Sequence, residues 1–116
     1  MANGIIPQIM ASILDHHLVA IPDICRRYGV CRLELFGSAT TEAFDPARSD
    51  LDFLVDFDAR TSDLFHRYFG LKESLEALFG REVDLVMVGA MRNPRFIESV
   101  NRTSQLVYLA ENAQAA

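Results

Sequence analysis

The stretch Ser49-Asp50-Leu51-Asp52-Phe53-Leu54-Val55-Asp56-Phe57-Asp58 decides how the chain is read. Leu51, Phe53, Val55 and Phe57 alternate with Asp50, Asp52, Leu54, Asp56 and Asp58. A period of two marks a strand with one buried face. The carboxylates of Asp50 and Asp52 then leave the same face, roughly 6–7 Å apart at the backbone. Two readings of the pair are open. It is a solvated acidic face, which Asp56 and Asp58 on the same side favour. Or it is a cation site, because like charges this close raise each other's pKa unless a cation intervenes. Mg²⁺ suits such a pair, being held through one or two carboxylates together with substrate phosphates.

Upstream, Cys31, Leu33 and Leu35 alternate with Arg32, Glu34 and Phe36, a short strand that stops at Gly37-Ser38. This pair is either an ordinary turn or an anion-binding concavity. Glycine lets the backbone approach a ligand, successive N–H groups converge, and the serine hydroxyl adds a donor. Residues 40–49 read as a loop around Pro46. The first 29 residues carry helical spacing in Ile5, Ile6, Ile9, Met10, Ile13 and Leu14, then in Ile21, Ile24, Cys25 and Tyr28. Pro22 opens a second helix or kinks one long one, and Gly29 caps its end.

Downstream, residues 62–79 predict a helix with the apolar stripe Leu64, Phe65, Tyr68, Leu71, Leu75, Leu78 and Phe79. Thr61 or Ser62 caps its start and Gly80 its end; the aromatics of the stripe are expected in the core. A strand follows with Val83, Leu85 and Met87 opposite Glu82, Asp84, Val86 and Val88. Asp84 among apolar neighbours needs a partner, a proton or a metal. If the two strands are neighbours in register, Asp84 joins Asp50 and Asp52. Three carboxylates beside an anion-binding turn make a two-metal site that holds and polarises a triphosphate. Pro94 opens a helix to about Asn101, and residues 105–109 form a last short strand. The expected fold class is α/β (α+β), a small mixed β-sheet backed by helices on one face.

The chain's 116 residues predict one domain over 1–116, with 111–116 a frayed tail. The formal charge is −5, and residues 42–63 carry −5 by themselves, with seven acidic and two basic side chains. No basic face for DNA is expected. No run approaches the about 18 apolar residues of a membrane span. The N-terminus lacks a basic signal region, and Cys25 and Cys31 fit neither a disulfide framework nor a zinc pattern. A cytoplasmic protein with reduced thiols is expected.

The segments Leu35-Phe36-Gly37-Ser38, Ser49-Asp50-Leu51-Asp52-Phe53-Leu54-Val55 and Arg81-Glu82-Val83-Asp84-Leu85-Val86 resemble the nucleotidyltransferase superfamily related to DNA polymerase β. Within it the chain is similar to the minimal nucleotidyltransferases (MNT), the MntA-like antitoxins that pair with HEPN-domain toxins of the HepT type. The likeness runs from about residue 21 to 109, and Asn93-Pro94-Arg95-Phe96 shares it. The resemblance implies a polymerase β-like fold and AMP transfer from ATP, with Gly37 and Ser38 on the β- and γ-phosphates. It implies Asp50 and Asp52 on two Mg²⁺ ions. Asp84 would ligate one of these and help deprotonate the acceptor. For MntA-like members the acceptor is a tyrosine hydroxyl of the toxin, whose RNase activity is thereby silenced. Two departures stand out. Ala39–Ser49 makes the spacer one residue longer than usual, and Thr41-Glu42 replaces a frequent Arg-Gly. Two further readings accompany this one: transfer to a small molecule, and an antitoxin that inhibits by binding alone.

Other polar residues are expected to serve the surface. His16 and His17 are adjacent and point about 100° apart on a helix. His66 falls off the apolar stripe. Arg92, Arg95 and Arg102 lie along the last helix, as a solvated face or as contacts to phosphate or an acidic partner.

Overall fold

The computed structural model describes residues 7–59 and 62–111. Helices α1 (Gln8–Asp15) and α2 (Ala20–Arg27) lead into β1 (Val30–Phe36). A 3-10 turn, Gly37–Thr40, and a loop separate β1 from β2 (Leu51–Phe57). Then come α3 (Leu64–Phe79), β3 (Val83–Met87), a second 3-10 turn (Val88–Ala90), α4 (Pro94–Thr103) and β4 (Gln105–Leu109). The four strands form one sheet in the order β3-β2-β1-β4. β1 runs antiparallel to β2 and β4, while β2 and β3, joined through α3, are parallel. The expected mixed sheet is present, fourth strand included.

The period-two pattern sorts the faces. Leu33, Leu35, Leu51, Phe53, Val55, Val83 and Leu85 point to one side and pack with Met10, Ile21, Ile24, Cys25, Leu71 and Leu75. Each large side chain buried there contributes roughly 1.5–3 kcal/mol relative to exposure. The helices are not confined to that face. On the other side Phe36 and Leu54 are buried with Val100 of α4, and Val86 and Met91 pack against them. This second small core explains the apolar Leu54 and Val86 on an otherwise acidic face.

Local chemistry corrects several boundaries. A register shift between Val30 and Arg32 puts Val30 into the core, so Cys31 does not continue the Leu33–Leu35 face. The N-terminal segment is two helices, with Pro22 in the first turn of α2 and Gly29 beyond its end at φ +68°. Ile9 is half exposed although Met10 beside it is buried; Ile5, Ile6, the Thr61 cap and residues 112–116 lie outside the described residues. Asp63, not Ser62, caps α3, accepting from the His66 N–H, while Gly80 ends it at φ +66°. Phe65, expected in the core, is 76% exposed, and Arg67 is buried instead. Its guanidinium donates to the carbonyls of Ser62 and Asp58 and lies over the Phe57 ring. Among the described residues no helix is long and apolar enough to cross a membrane.

Candidate active site

The parallel register sets Asp52 directly beside Asp84. Their carboxyl groups lie within hydrogen-bonding reach of each other. The Asp52 carboxyl is pushed up to about 6, first by burial, then by the hydrogen bond with Asp84 and by the charges of Asp84 and Asp50. Asp50 stands one residue before β2, is exposed, and acts on Asp52 through its charge. Asp84 is also exposed, which corrects the expectation of a carboxylate shut among apolar neighbours. Its partner is Asp52, and its apolar strand-mate Val86 is covered by α4.

The Gly37-Ser38 turn touches this pair. Gly37 has φ +74°, and a Cβ placed there would collide with the Asp52 carboxylate oxygen, so glycine serves both the conformation and the close approach. The turn is wound as 3-10 helix and tied down by hydroxyls. Thr40 Oγ1 donates to the Gly37 carbonyl at 3.1 Å, and Thr41 Oγ1 to that of Ser38 at 3.0 Å. Gly37 N–H donates to Thr103 Oγ1 on α4 at 3.2 Å. One amide of the expected anion-binding turn is thus engaged by α4, with Ser38 partly exposed beside it. Thr41, standing where an arginine is frequent, secures the turn, and Glu42 is exposed.

Four side chains that sequence reasoning missed frame the carboxylates. Arg81 donates to the carbonyls of Ser49, at 2.9 Å, and Pro46, at 2.7 Å, and covers the Phe44 ring. It thereby pins the spacer loop just before Asp50. Tyr68 OH donates to the Leu85 carbonyl at 2.6 Å and Lys72 Nζ to that of Val83 at 2.7 Å. Glu76, paired with Lys72, accepts from the Val83 N–H. Residues 68, 72 and 76 recur every four along one side of α3, and together they satisfy backbone groups on the outer edge of β3, on both sides of Asp84. Their spacing was visible in the sequence, but its target was not. Together with Phe36, Leu85, Val86 and Phe96, the residues Asp52, Tyr68, Lys72 and Asp84 line a cleft of about 380 Å³. The Phe36 and Phe96 rings meet edge to face, 5.9 Å apart.

The residues assigned to the surface are exposed with one exception, and Arg92, expected along the last helix, stands before α4 and donates to the Gly89 and Met91 carbonyls. His16, His66, Arg92, Arg95 and Arg102 are exposed, whereas His17 packs edge-on against Phe79 at 5.1 Å. Cys25 and Cys31 are not joined in a disulfide, and burial pushes Cys25 up to about 12.

The donor chemistry fits a hard divalent cation. Oxygen ligands from neighbouring strands crowd one another enough to push the Asp52 carboxyl up, and a cation relieves that repulsion. The three are not gathered into a ready ligand cluster among the described residues. Such an arrangement can bind a polyphosphate between a glycine turn and carboxylates, with an open side for an acceptor.

Comparison with known proteins agrees with that chemistry. The profile of the nucleotidyltransferase domain matches residues 20–110. A Methanocaldococcus jannaschii protein named as a candidate protein adenylyltransferase is 32% identical over 97 residues, 84% of this chain and 91% of that protein. The protein adenylyltransferase MntA of Thermococcus cleftensis is 40% identical over 72 residues, 61% of this chain and 69% of that one. The solved complex of a tri-AMPylated Shewanella oneidensis HEPN toxin with its MNT antitoxin contains a chain of the same fold. Its TM-score is 0.58 at 19% identity, covering 88% of this chain and 77% of that one. With the fold, the adjoining glycine turn and the matched profile in agreement, this chain belongs to the nucleotidyltransferase domain family.

Proposed function

We propose that this chain is a protein adenylyltransferase that moves AMP from ATP to a tyrosine hydroxyl of a HEPN-domain toxin, and so acts as that toxin's antitoxin by silencing its RNase. The observation that carries the reading is the side-by-side register of Asp52 and Asp84 against the Gly37 turn. The names of the M. jannaschii and T. cleftensis relatives support adenylyl transfer, and the S. oneidensis complex supports a HEPN partner.

Gly37 and Ser38 receive the β- and γ-phosphates, with the ribose and adenine extending along the cleft. Asp50, Asp52 and Asp84 are the residues that hold Mg²⁺, two ions by family resemblance. The metal supplies positive charge that neutralises the triphosphate and the departing pyrophosphate. Asp84, the more open carboxylate of the hydrogen-bonded pair, accepts the proton of the acceptor hydroxyl. The hydroxyl oxygen bonds to the α-phosphorus in line while the bond to the β-phosphate bridging oxygen breaks. Arg81 keeps Asp50 at the mouth by fixing the Ser49 carbonyl.

The test is intact-mass measurement of the cognate HEPN-domain protein after incubation with the chain, ATP and Mg²⁺. Gain of AMP residues that disappears in the Asp50→Ala, Asp52→Ala double variant supports transfer. An unchanged mass with the toxin still inhibited means inhibition by binding alone.

A further inference from the structure

Beyond the cleft, an apolar groove of about 560 Å³ opens between the first half of α3 and the free edge of β3. It shares Tyr68, Leu85 and Val86 with the cleft that holds Asp52 and Asp84, so the two hollows adjoin. The groove's outer wall is an exposed aromatic cluster. Phe65 is 76% exposed and Phe69 42%, with their rings 4.7 Å apart, and Tyr68 meets Phe69 edge-on. At the far end a second hollow shares Leu64 and Met87 with the groove and is lined by Asp56 and Asp58. Asp63 heads α3 beside it. Arg67 also lines this hollow, donating to the Ser62 and Asp58 carbonyls, and among the described residues there Asp56, Asp58 and Asp63 outnumber it.

We infer that this groove docks the acceptor polypeptide through a segment with an apolar face and basic residues at one end. The inference rests on the adenylyl-transfer reading and says where the acceptor enters. A nucleotide is a poor occupant: no charged side chain lines the groove, and the Tyr68 hydroxyl is already bonded to Leu85. An anionic lipid surface is repelled by the acidic end. An apolar segment fills the aromatic trench, basic residues meet the acidic end, and the shared wall at Tyr68 and Val86 delivers the segment's hydroxyl to Asp84. The strongly acidic stretch over 42–63 thus has a use at its C-terminal part, separate from metal binding.

The experiment measures three quantities for the unaltered chain, Phe65→Asp and Phe65→Leu. These are affinity for the cognate HEPN-domain protein, AMP transfer to it, and affinity for Mg·ATP read with a fluorescent ATP analogue. Thermal melts confirm that each variant is folded. Phe65→Asp is expected to weaken partner binding and transfer at least tenfold, with ATP affinity within twofold. Phe65→Leu is expected within threefold throughout, and partner affinity is expected to fall with added salt. Wild-type partner affinity in Phe65→Asp overturns the inference. So does loss of ATP affinity, which would make the groove a nucleotide subsite. A self-dimer of the unaltered chain that Phe65→Asp dissolves also overturns it, because the occupant is then a second copy. The Asp50→Asn, Asp52→Asn double variant separates the two readings. Partner binding without transfer upholds both, whereas retained transfer sinks the catalytic reading and leaves docking to be judged on Phe65.

Discussion

Replacing Asp52 by asparagine keeps the shape of the side chain and removes the charge that the site resists. The Asp52 carboxyl titrates at about 6 against an ordinary 3.8, a property of the hydrogen-bonded pair with Asp84. A folded pKa above the unfolded one means that the native state binds the proton more tightly. Its contribution to stability is complete below pH 3.8 and is lost as pH rises through 6. Two pKa units correspond to about 3 kcal/mol. Asp52 is only part-buried and solvent screens the pair, so the cost at pH 8 reduces to about 1 kcal/mol. Without divalent metal, Asp52→Asn is therefore expected to unfold about 3–5 °C higher than the unaltered chain at pH 8. Below pH 4 the two should converge. Urea or thermal unfolding followed by circular dichroism in EDTA, across pH 4–8, measures this. Mg²⁺ should narrow the gap by stabilising the unaltered chain. An Asp52→Asn variant that is less stable at pH 8, or a gap that does not change with pH, refutes the reasoning.

Three further substitutions test the supports of the site. Gly37→Ala places a methyl against the Asp52 carboxylate at a positive φ, and should cost about 1–3 kcal/mol in urea unfolding and more than tenfold in AMP transfer. Gly70→Ala should raise stability by about 1 kcal/mol on helix propensity alone. Its Cβ, however, would sit 2.7 Å from Tyr28 Cζ, and the overlap should make the variant about 1 kcal/mol less stable; a higher melting temperature contradicts this. Tyr68→Phe removes the bond to the Leu85 carbonyl and is expected to lower stability by about 1 kcal/mol, while hydrogen exchange along β3 speeds up relative to β1.

The parts of the structure that were legible in the sequence are those set by local period and backbone chemistry. Alternation over 50–58 and 83–87 assigned the strand faces, and the structure pairs the two strands with Asp52 level with Asp84. Gly29, Gly80 and Pro94 ended or opened helices for reasons that act within a few residues. What escaped depends on contacts distant in sequence. Thr103 bonds Gly37 across 66 positions, and Arg81 reaches back 32 to Ser49. Nothing within one turn of either residue signals such a partner. The placing of α4 on the acidic face was hidden for the same reason, since Leu54 and Val86 gave an apolar signal without its cover. Phe65 failed in the opposite direction: its spacing fits the core stripe, but its ring stands in solvent over the groove beside the edge strand β3.

Whether Asp50, Asp52 and Asp84 converge on metal beside Gly37 is measured most directly by diffraction from crystals grown with Mn²⁺ and a non-hydrolysable α,β-methylene ATP analogue. Anomalous peaks between these carboxylates, with the analogue's outer phosphates at the Gly37-Ser38 turn, are the predicted result. Manganese and nucleotide bound elsewhere on the chain, with Asp84 turned away from both, would contradict it.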